Sequence, residues 1–126
     1  MRRKMELTEC ELATMKCIWD AKQPVNCRYI RRRLKEEYGY DYQDTTVYTF
    51  LKKLHEKGFV DSYKDGATYY SPLREEEEFK NAQIQKTKRL WFKGSSLAMI
   101  SQLFQEEDLT REDKANLRKM LDEMDD

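Results

Sequence analysis

The sequence lacks any long hydrophobic run. No apolar stretch approaches the roughly 20 residues that a membrane-spanning helix needs, and the initial Met-Arg-Arg-Lys leads to Glu6 instead of an apolar signal core. These absences argue against a transmembrane protein and against a secreted one. We therefore expect a soluble protein in the cytoplasm.

Residues suited to catalysis or metal binding are also scarce. His55 is the only histidine, and no neighbouring pattern of cysteines or carboxylates matches a catalytic triad or a metal site. The four glycines, at positions 39, 58, 66 and 94, are too scattered to form a phosphate-binding loop. The sequence therefore predicts that the protein is not an enzyme and that it has no metal and no cofactor.

The three cysteines, Cys10, Cys17 and Cys27, are an odd number, and none is paired at the spacing of metal ligands. Cytosolic disulfides are rare, and a free cysteine packs as a small hydrophobic residue. We expect three reduced thiols in or near the core.

Charged residues are abundant, and the two signs are distributed unevenly. The chain is 38% charged and 12% aromatic with a net charge of zero, and its regular apolar spacing favours a packed, helix-rich protein over a disordered one. Residues 1–73 hold 14 Lys and Arg against 11 Asp and Glu, a balance of +3. Residues 74–126 hold 10 against 13, a balance of −3. Positive charge is clustered at Arg2, Arg3 and Lys4 and again at Arg28, Arg31, Arg32, Arg33 and Lys35, which favours the first part as a nucleic-acid binder.

Three helices are predicted in the first part of the chain. Thr8 and Glu11 form a capping-box pattern at the start of the first, whose residues Leu12, Met15, Ile18 and Trp19 share the predicted core face. Pro24 ends that helix, Val25 is compatible with a very short strand, and Asn26 is a good N-cap for a second helix extending to about Tyr38.

The third predicted helix, Asp44 to Lys57, has two different faces. On a 3.6-residue wheel one face gathers Val47, Phe50, Leu51 and Leu54, and the other gathers Thr45, Thr49 and Lys52, flanked by Tyr48. Such a face suits DNA, because hydroxyl, phenol and ammonium groups form hydrogen bonds with base edges and phosphates. The threonine methyl group also contacts the thymine methyl group. This pattern indicates a helix that reads the major groove.

A hairpin is predicted after Gly58. Residues 59–64 and 67–73 flank Asp65-Gly66, the preferred sequence of a two-residue type I′ turn, and this hairpin is the expected wing. Lys64 near its tip is a candidate for a phosphate contact. That turn would place Val60, Ser62 and Tyr69 on one face and Phe59, Asp61, Tyr63 and Tyr70 on the other. The pattern is compatible with burial of either face.

The second part of the chain, residues 74–126, is predicted to be helical with a thin apolar face. A charged helix over 74–93 is followed by a helix capped by Ser95 or Ser96 and by another that starts at Thr110 and Asp113. The apolar positions of the last two are Leu97, Ile100, Leu103, Phe104, Leu117, Met120, Leu121 and Met124. Because about 50 such residues cannot build a core alone, we expect pairing with the same segment of a second chain; folding back onto the first part is the alternative.

Several runs of sequence resemble the penicillinase-repressor family of bacterial winged-helix repressors, which includes penicillinase, methicillin-resistance and copper-responsive repressors. The runs are Leu7 to Leu12 with Ile18-Trp19, Thr45 to Leu54, Lys57 to Val60, Tyr70 to Leu73, Phe92 to Leu97 and Glu106 to Thr110. They span nearly the whole chain in one order and spacing. The resemblance implies a homodimer with a winged-helix DNA-binding domain over residues 1–73 and a helical dimerisation domain over residues 74–126.

The resemblance also implies a palindromic operator as the DNA partner. The candidate DNA-binding residues are Gln43, Thr45, Thr46, Tyr48, Thr49, Lys52, Arg28 and Lys64, with Thr46 at the edge of the outward face.

The resemblance bears on how repression is relieved. Relatives that respond to β-lactams are cleaved in the first dimerisation helix after a membrane metalloprotease sensor signals. The matching bond here lies near Gln102–Leu103, where those relatives have an Asn-aromatic pair. The copper-responsive relatives carry a C-terminal pair of Cys-x-Cys motifs, and residues 121–126 contain no cysteine.

The function predicted from the sequence is a homodimeric DNA-binding repressor. Two other functions are compatible with a winged helix: an interaction module that binds protein through its acidic second part, and a repressor that senses a small molecule and leaves DNA without cleavage.

Overall fold

The computed structural model describes residues 6–106 and 109–124, and within them it is mainly helical with one small antiparallel sheet, as predicted. The elements are α1 (Glu9–Ala21), β1 (Val25–Asn26), α2 (Cys27–Tyr38), α3 (Asp44–Glu56), β2 (Val60–Asp65), β3 (Ala67–Pro72), α4 (Glu76–Phe92), α5 (Ser96–Glu106) and α6 (Arg111–Met124). The chain divides into two compact units, Met1–Lys80 and Asn81–Asp126.

Local capping signals place the helix starts. The Thr8 hydroxyl accepts from the Glu11 amide at 3.1 Å, and the Glu11 carboxylate accepts from the Thr8 amide at 3.0 Å, which confirms the predicted capping box. The Asn26 side chain caps α2 by accepting from the Tyr29 amide at 2.9 Å. Thr110 and Asp113 form the same reciprocal pair at the start of α6. Each bond satisfies an amide that the first turn of a helix leaves unpaired.

The core of the first unit lies between the three helices and the sheet. It contains Met15, Ile18, Trp19, Ile30, Leu34, Val47, Leu51, Leu54, Phe59, Val60 and Phe79, with Cys17 and Cys27 also buried. The prediction that Leu12 belongs to this core is wrong, because Leu12 is 38% exposed. The buried stripe of α1 runs through Glu11, Met15 and Ile18 and leaves Leu12 at its boundary.

The sheet has the order β1-β3-β2, with both pairs antiparallel. The hairpin exists as predicted, but the assignment of its faces is wrong, since Ser62 lies opposite Tyr70 and Tyr63 lies opposite Tyr69. A two-residue type I′ turn needs positive φ at both central residues, whereas here only Gly66, at φ 75°, has it. The observed pairing is therefore shifted by one residue from the predicted one. Because side chains alternate between the two faces of a strand, each residue of β2 shares a face with a different set of β3 residues than predicted.

The true register defines the buried face of the hairpin. Val60 and Tyr70 are buried on the side of the helices. Tyr63 and Tyr69 form a stacked pair on the other side, with ring centroids 5.7 Å apart. Ser62 therefore shares a face with the buried residues and lies beside α3.

The start of α4 belongs to the first unit. The Trp19 indole donates to the Arg74 carbonyl at 2.9 Å, and the Phe79 ring meets the Phe59 ring edge-on at 5.2 Å. Glu76 forms an ion pair with Lys16 on α1. The predicted charged helix is present, and Phe79 is its buried residue.

Candidate nucleic-acid interface

The two faces of α3 differ as the sequence predicts. Val47, Leu51 and Leu54 are between 0% and 1% exposed and fix the helix to the core. The side chains of Thr45, Tyr48, Thr49 and Lys52 are exposed, and that of Thr46 is half-buried. The inner face anchors the helix, and the outer face offers hydroxyls, a phenol and an ammonium group to a partner.

The loop before α3 is held by two hydrogen bonds that the sequence analysis did not anticipate. The Tyr40 hydroxyl donates to Glu9 at 3.0 Å, and the Tyr42 hydroxyl lies 3.0 Å from the Cys10 sulfur. The bond to Cys10 raises the pKa of Tyr42 to about 12, together with partial burial. The Tyr42 ring also meets Phe50 edge-on at 5.2 Å. These contacts connect the start of α3 to α1, so the exposed face is presented by a fixed helix.

Gln43 stands at the N-cap of α3 but makes no side-chain capping bond, and its side chain is exposed. Asp44 follows it and accepts from Arg31 of α2 at 3.0 Å. The Gln43 amide is therefore available at the end of the helix where a positive dipole and unpaired amides attract phosphate.

A cleft between α3 and the hairpin extends the outer face of the helix. Its lining residues are Tyr48, Leu51, Lys52, His55, Glu56, Ser62 and Tyr70, and its volume is about 460 Å³. The neighbouring Cys27 thiol and partial burial raise the pKa of the Tyr48 phenol above its ordinary value. Ser62 and His55 were absent from the sequence-based site, Ser62 because the predicted register placed Tyr69 opposite it.

The basic cluster of α2 is partly neutralised within the unit. Arg33 pairs with Glu36 and Glu37 at 3.2 and 2.8 Å, and Lys35 lies 3.7 Å from Asp41. Arg28, at the start of α2, is exposed and has no ion pair within residues 6–106 and 109–124. Fewer basic side chains of α2 are therefore left for a phosphate contact than the number of arginines and lysines in its sequence indicates.

Of the other predicted cations, Arg2, Arg3 and Lys4 lie outside the described residues, and Lys64 lies on the hairpin. It is exposed, pairs with Thr68 across the strands, and stands two residues before Gly66 at the turn. The structure thus keeps Tyr48 and Lys52 together on the cleft and puts Arg28 and Lys64 on separate elements of the same unit.

The second unit exposes an apolar set of residues on α5 and α6. Leu97 is 74% exposed, Leu121 is 62% exposed and Met124 is 77% exposed. The other members of the predicted set are Ile100, Leu103, Phe104 and Met120, all exposed, and Leu117, which is half-buried. Gln102 and Leu103 are consecutive, exposed residues inside α5. Large exposed apolar groups in such number are typical of an association surface.

No cluster of three or more His, Cys, Asp or Glu side chains suited to a metal ion occurs in the described part of the chain. Among the same residues, no helix combines the length and the apolar character of a membrane span.

Comparisons with known proteins give a consistent result. The family model described as penicillinase repressor matches residues 7–123. The methicillin resistance regulatory protein MecI of Mammaliicoccus sciuri is 26% identical over 117 residues, which cover 92% of this chain and 93% of that protein. The penicillinase repressor of Bacillus licheniformis is 22% identical over 124 residues, which cover 98% of this chain and 94% of that protein. The solution structure of the DNA binding domain of the repressor BlaI matches with a TM-score of 0.50 and 26% identity, covering 62% of this chain and 93% of that domain.

Proposed function

The chain belongs to the penicillinase repressor family, and we propose that it is a DNA-binding transcriptional repressor. The observation that carries the proposal is the exposed polar face of α3, which stands opposite an apolar face where Val47, Leu51 and Leu54 are buried and Phe50 is half-buried. The BlaI domain that shares this fold is by name a DNA-binding domain. Membership and geometry therefore support the same function.

In this proposal α3 enters the major groove of an operator. Thr45, Thr46, Tyr48, Thr49 and Gln43 contact base edges, because hydroxyl, amide and methyl groups match the donors, acceptors and thymine methyl groups displayed there. The phosphates are met by the cations Arg28, Lys52 and Lys64. Such phosphate contacts set the position of the protein on the duplex and carry no sequence information themselves.

We infer a homodimer that binds a palindromic operator. The first unit, Met1–Lys80, is the DNA-binding part, and the exposed apolar residues of α5 and α6 form the contact between two chains. Joining two reading units raises the effective concentration of the second half-site once the first is bound. The half-site centres are expected about one helical turn apart, or at a multiple of it.

We further propose that repression is relieved by breaking this dimer, with the Gln102–Leu103 bond as the cleavage site in response to a membrane metalloprotease sensor. Both residues are exposed, but their bond lies within helix α5, so cleavage requires local opening of that helix. The intact mass of the protein recovered from cells before and after a β-lactam tests this step. A fragment ending at Gln102 supports it, and release of the operator by uncut protein contradicts it.

A mobility-shift titration tests the central proposal. The intact protein is titrated against a duplex from the region upstream of its own gene and against a shuffled duplex of equal length and composition, at two salt concentrations. The upstream duplex should bind more tightly at both, with affinity for both duplexes falling as salt rises. Equal affinity for the two duplexes would contradict a sequence-reading repressor.

A further inference from the structure

The Thr49 hydroxyl on the outer face of α3 is already engaged within the protein. Its Oγ1 donates a hydrogen bond to the backbone carbonyl of Thr45 at 3.0 Å. Thr45, one turn earlier on the same face, has no bond holding its own hydroxyl among residues 6–106 and 109–124. Two exposed threonines therefore present different chemistry to a partner.

A hydroxyl group has a single hydrogen to donate. Because Thr49 gives that hydrogen to a backbone carbonyl, its side chain has no donor left. Bonding back to the carbonyl four residues earlier also selects one side-chain rotamer. The exposed part of Thr49 then offers a methyl group and, at most, an accepting oxygen turned toward the helix backbone.

The major-groove edges of the bases respond differently to such a side chain. Guanine displays only acceptors there, N7 and O6, so a side chain without a donor gains no bond from it. Thymine displays its C5-methyl group, which makes favourable apolar contact with a threonine methyl. Adenine and cytosine display amino groups, whose acceptor would have to be the Thr49 hydroxyl oxygen, and that oxygen is turned toward the helix backbone.

We propose that Thr49 selects thymine through methyl–methyl contact and that its hydroxyl contributes nothing to base reading. The inference rests on the proposed DNA-binding function and deepens it by naming the chemistry at one position of each half-site. Thr49 is thus a specificity-determining residue whose reading group is apolar.

Two reciprocal substitutions separate the methyl group from the hydroxyl. Thr49→Val keeps a methyl group at the same place and removes the hydroxyl, and Thr49→Ser keeps the hydroxyl and removes the methyl group. Both are small changes on an exposed helix position. The wild type and both variants each select sequences from the same randomised duplex pool, and the affinity of each protein for the sequence selected by the wild type is measured.

The expected result is that the wild type and Thr49→Val select the same thymine, while Thr49→Ser loses preference for it. Loss of one buried methyl contact corresponds to about fourfold in affinity per half-site. The same fourfold loss should appear for unmodified protein when that thymine is replaced by uracil, which lacks only the methyl group. The uracil substitution needs no protein variant and is therefore independent of folding.

Opposite results overturn the inference. If Thr49→Val loses base preference and Thr49→Ser keeps it, the hydroxyl and not the methyl group reads the base. If uracil binds as well as thymine at every position, no thymine methyl group is read. In those cases selective DNA binding, and with it the proposed function, still stands. Failure of the wild type to select any sequence would overturn both together.

Discussion

Lys57 Nζ lies 2.6 Å from Glu11 Oε1, and the Glu11 side chain is only 3% exposed. Lys57 immediately follows α3, and Glu11 belongs to the first turn of α1. Lys57 also donates to the Glu6 carbonyl at 3.0 Å. A buried ion pair thus joins the end of the proposed reading helix to the start of the first helix, and a carboxylate occupies a position on the core face of α1.

Breaking this pair should destabilise the first unit. Lys57→Met leaves a buried carboxylate without its strongest partner, and we expect the free energy of unfolding in urea to fall by about 1–3 kcal/mol. The matched control is Lys80→Met, which removes the exposed pair with Glu77 and should cost about 0.5 kcal/mol or less. Equal effects of the two substitutions would contradict a structural role for the buried pair.

The same pair should give the stability a dependence on pH. Burial alone would raise the pKa of Glu11, but the hydrogen bond from Lys57 and the Thr8 amide outweigh burial, and the pKa lies below its ordinary 4.5. A depressed pKa in the folded state contributes stability above the unfolded value, and this contribution is lost as pH falls through the folded value. Wild type should therefore lose more stability than Glu11→Gln between about pH 5 and pH 3. Parallel stability curves for the two proteins would show that Glu11 is not responsible.

Lys52 should act on DNA without regard to sequence. If it contacts a phosphate, Lys52→Ala weakens binding to every duplex by a similar factor and reduces the slope of log affinity against log salt by about 0.9. Titrations at several salt concentrations measure that slope. Lys80→Ala, a charge removed from α4, serves as the control and should leave it unchanged. An unchanged slope in Lys52→Ala would rule out a phosphate contact.

Thr45 should behave in the opposite way to Thr49. Its hydroxyl is not engaged by another described residue, so Thr45→Val removes a group able to bond a base edge. We expect relaxed base preference at one position of the selected sequence, whereas Thr45→Ser should retain it. Selection from a randomised duplex pool measures the base preference of both variants. If Thr45→Val retains the base preference of the wild type, the Thr45 hydroxyl does not read a base.

The apolar face of the second unit should hold two chains together. Leu121 is 62% exposed on α6, and Leu121→Asp places a charge on that face. We expect a shift from dimer to monomer in analytical ultracentrifugation and a loss on the order of 100-fold in affinity for a two-site operator, with affinity for a single half-site preserved. Lys114→Ala, an exposed change on α6, is the control. A wild-type protein that is itself monomeric at micromolar concentration would contradict the proposed dimer.

Local signals in the sequence were enough to place most elements. Capping pairs such as Thr8 with Glu11 act within three residues, and the buried face of α3 follows from its spacing, so both were predictable. The hairpin register was not, because it depends on the φ of Asp65 and Gly66 in the turn rather than on which residues fill it.

Partners distant in the chain were also missed at the site. The ties of Tyr40 to Glu9 and of Tyr42 to Cys10 join residues that are 31 and 32 positions apart. The Glu11–Lys57 pair spans 46 positions. The periodicity of apolar residues relates only residues that are close in sequence, so it does not predict such contacts. They are seen only in the folded chain, where they fix α3 in place.

Methylation protection at guanine N7 tests the central claim most directly, because N7 lies in the major groove. The protein is bound to the upstream duplex, and the reactivity of each guanine is compared with that of free DNA. Insertion of α3 predicts two protected clusters about one helical turn apart or a multiple of it. A duplex that is fully bound, with every guanine N7 as reactive as in free DNA, would contradict the account.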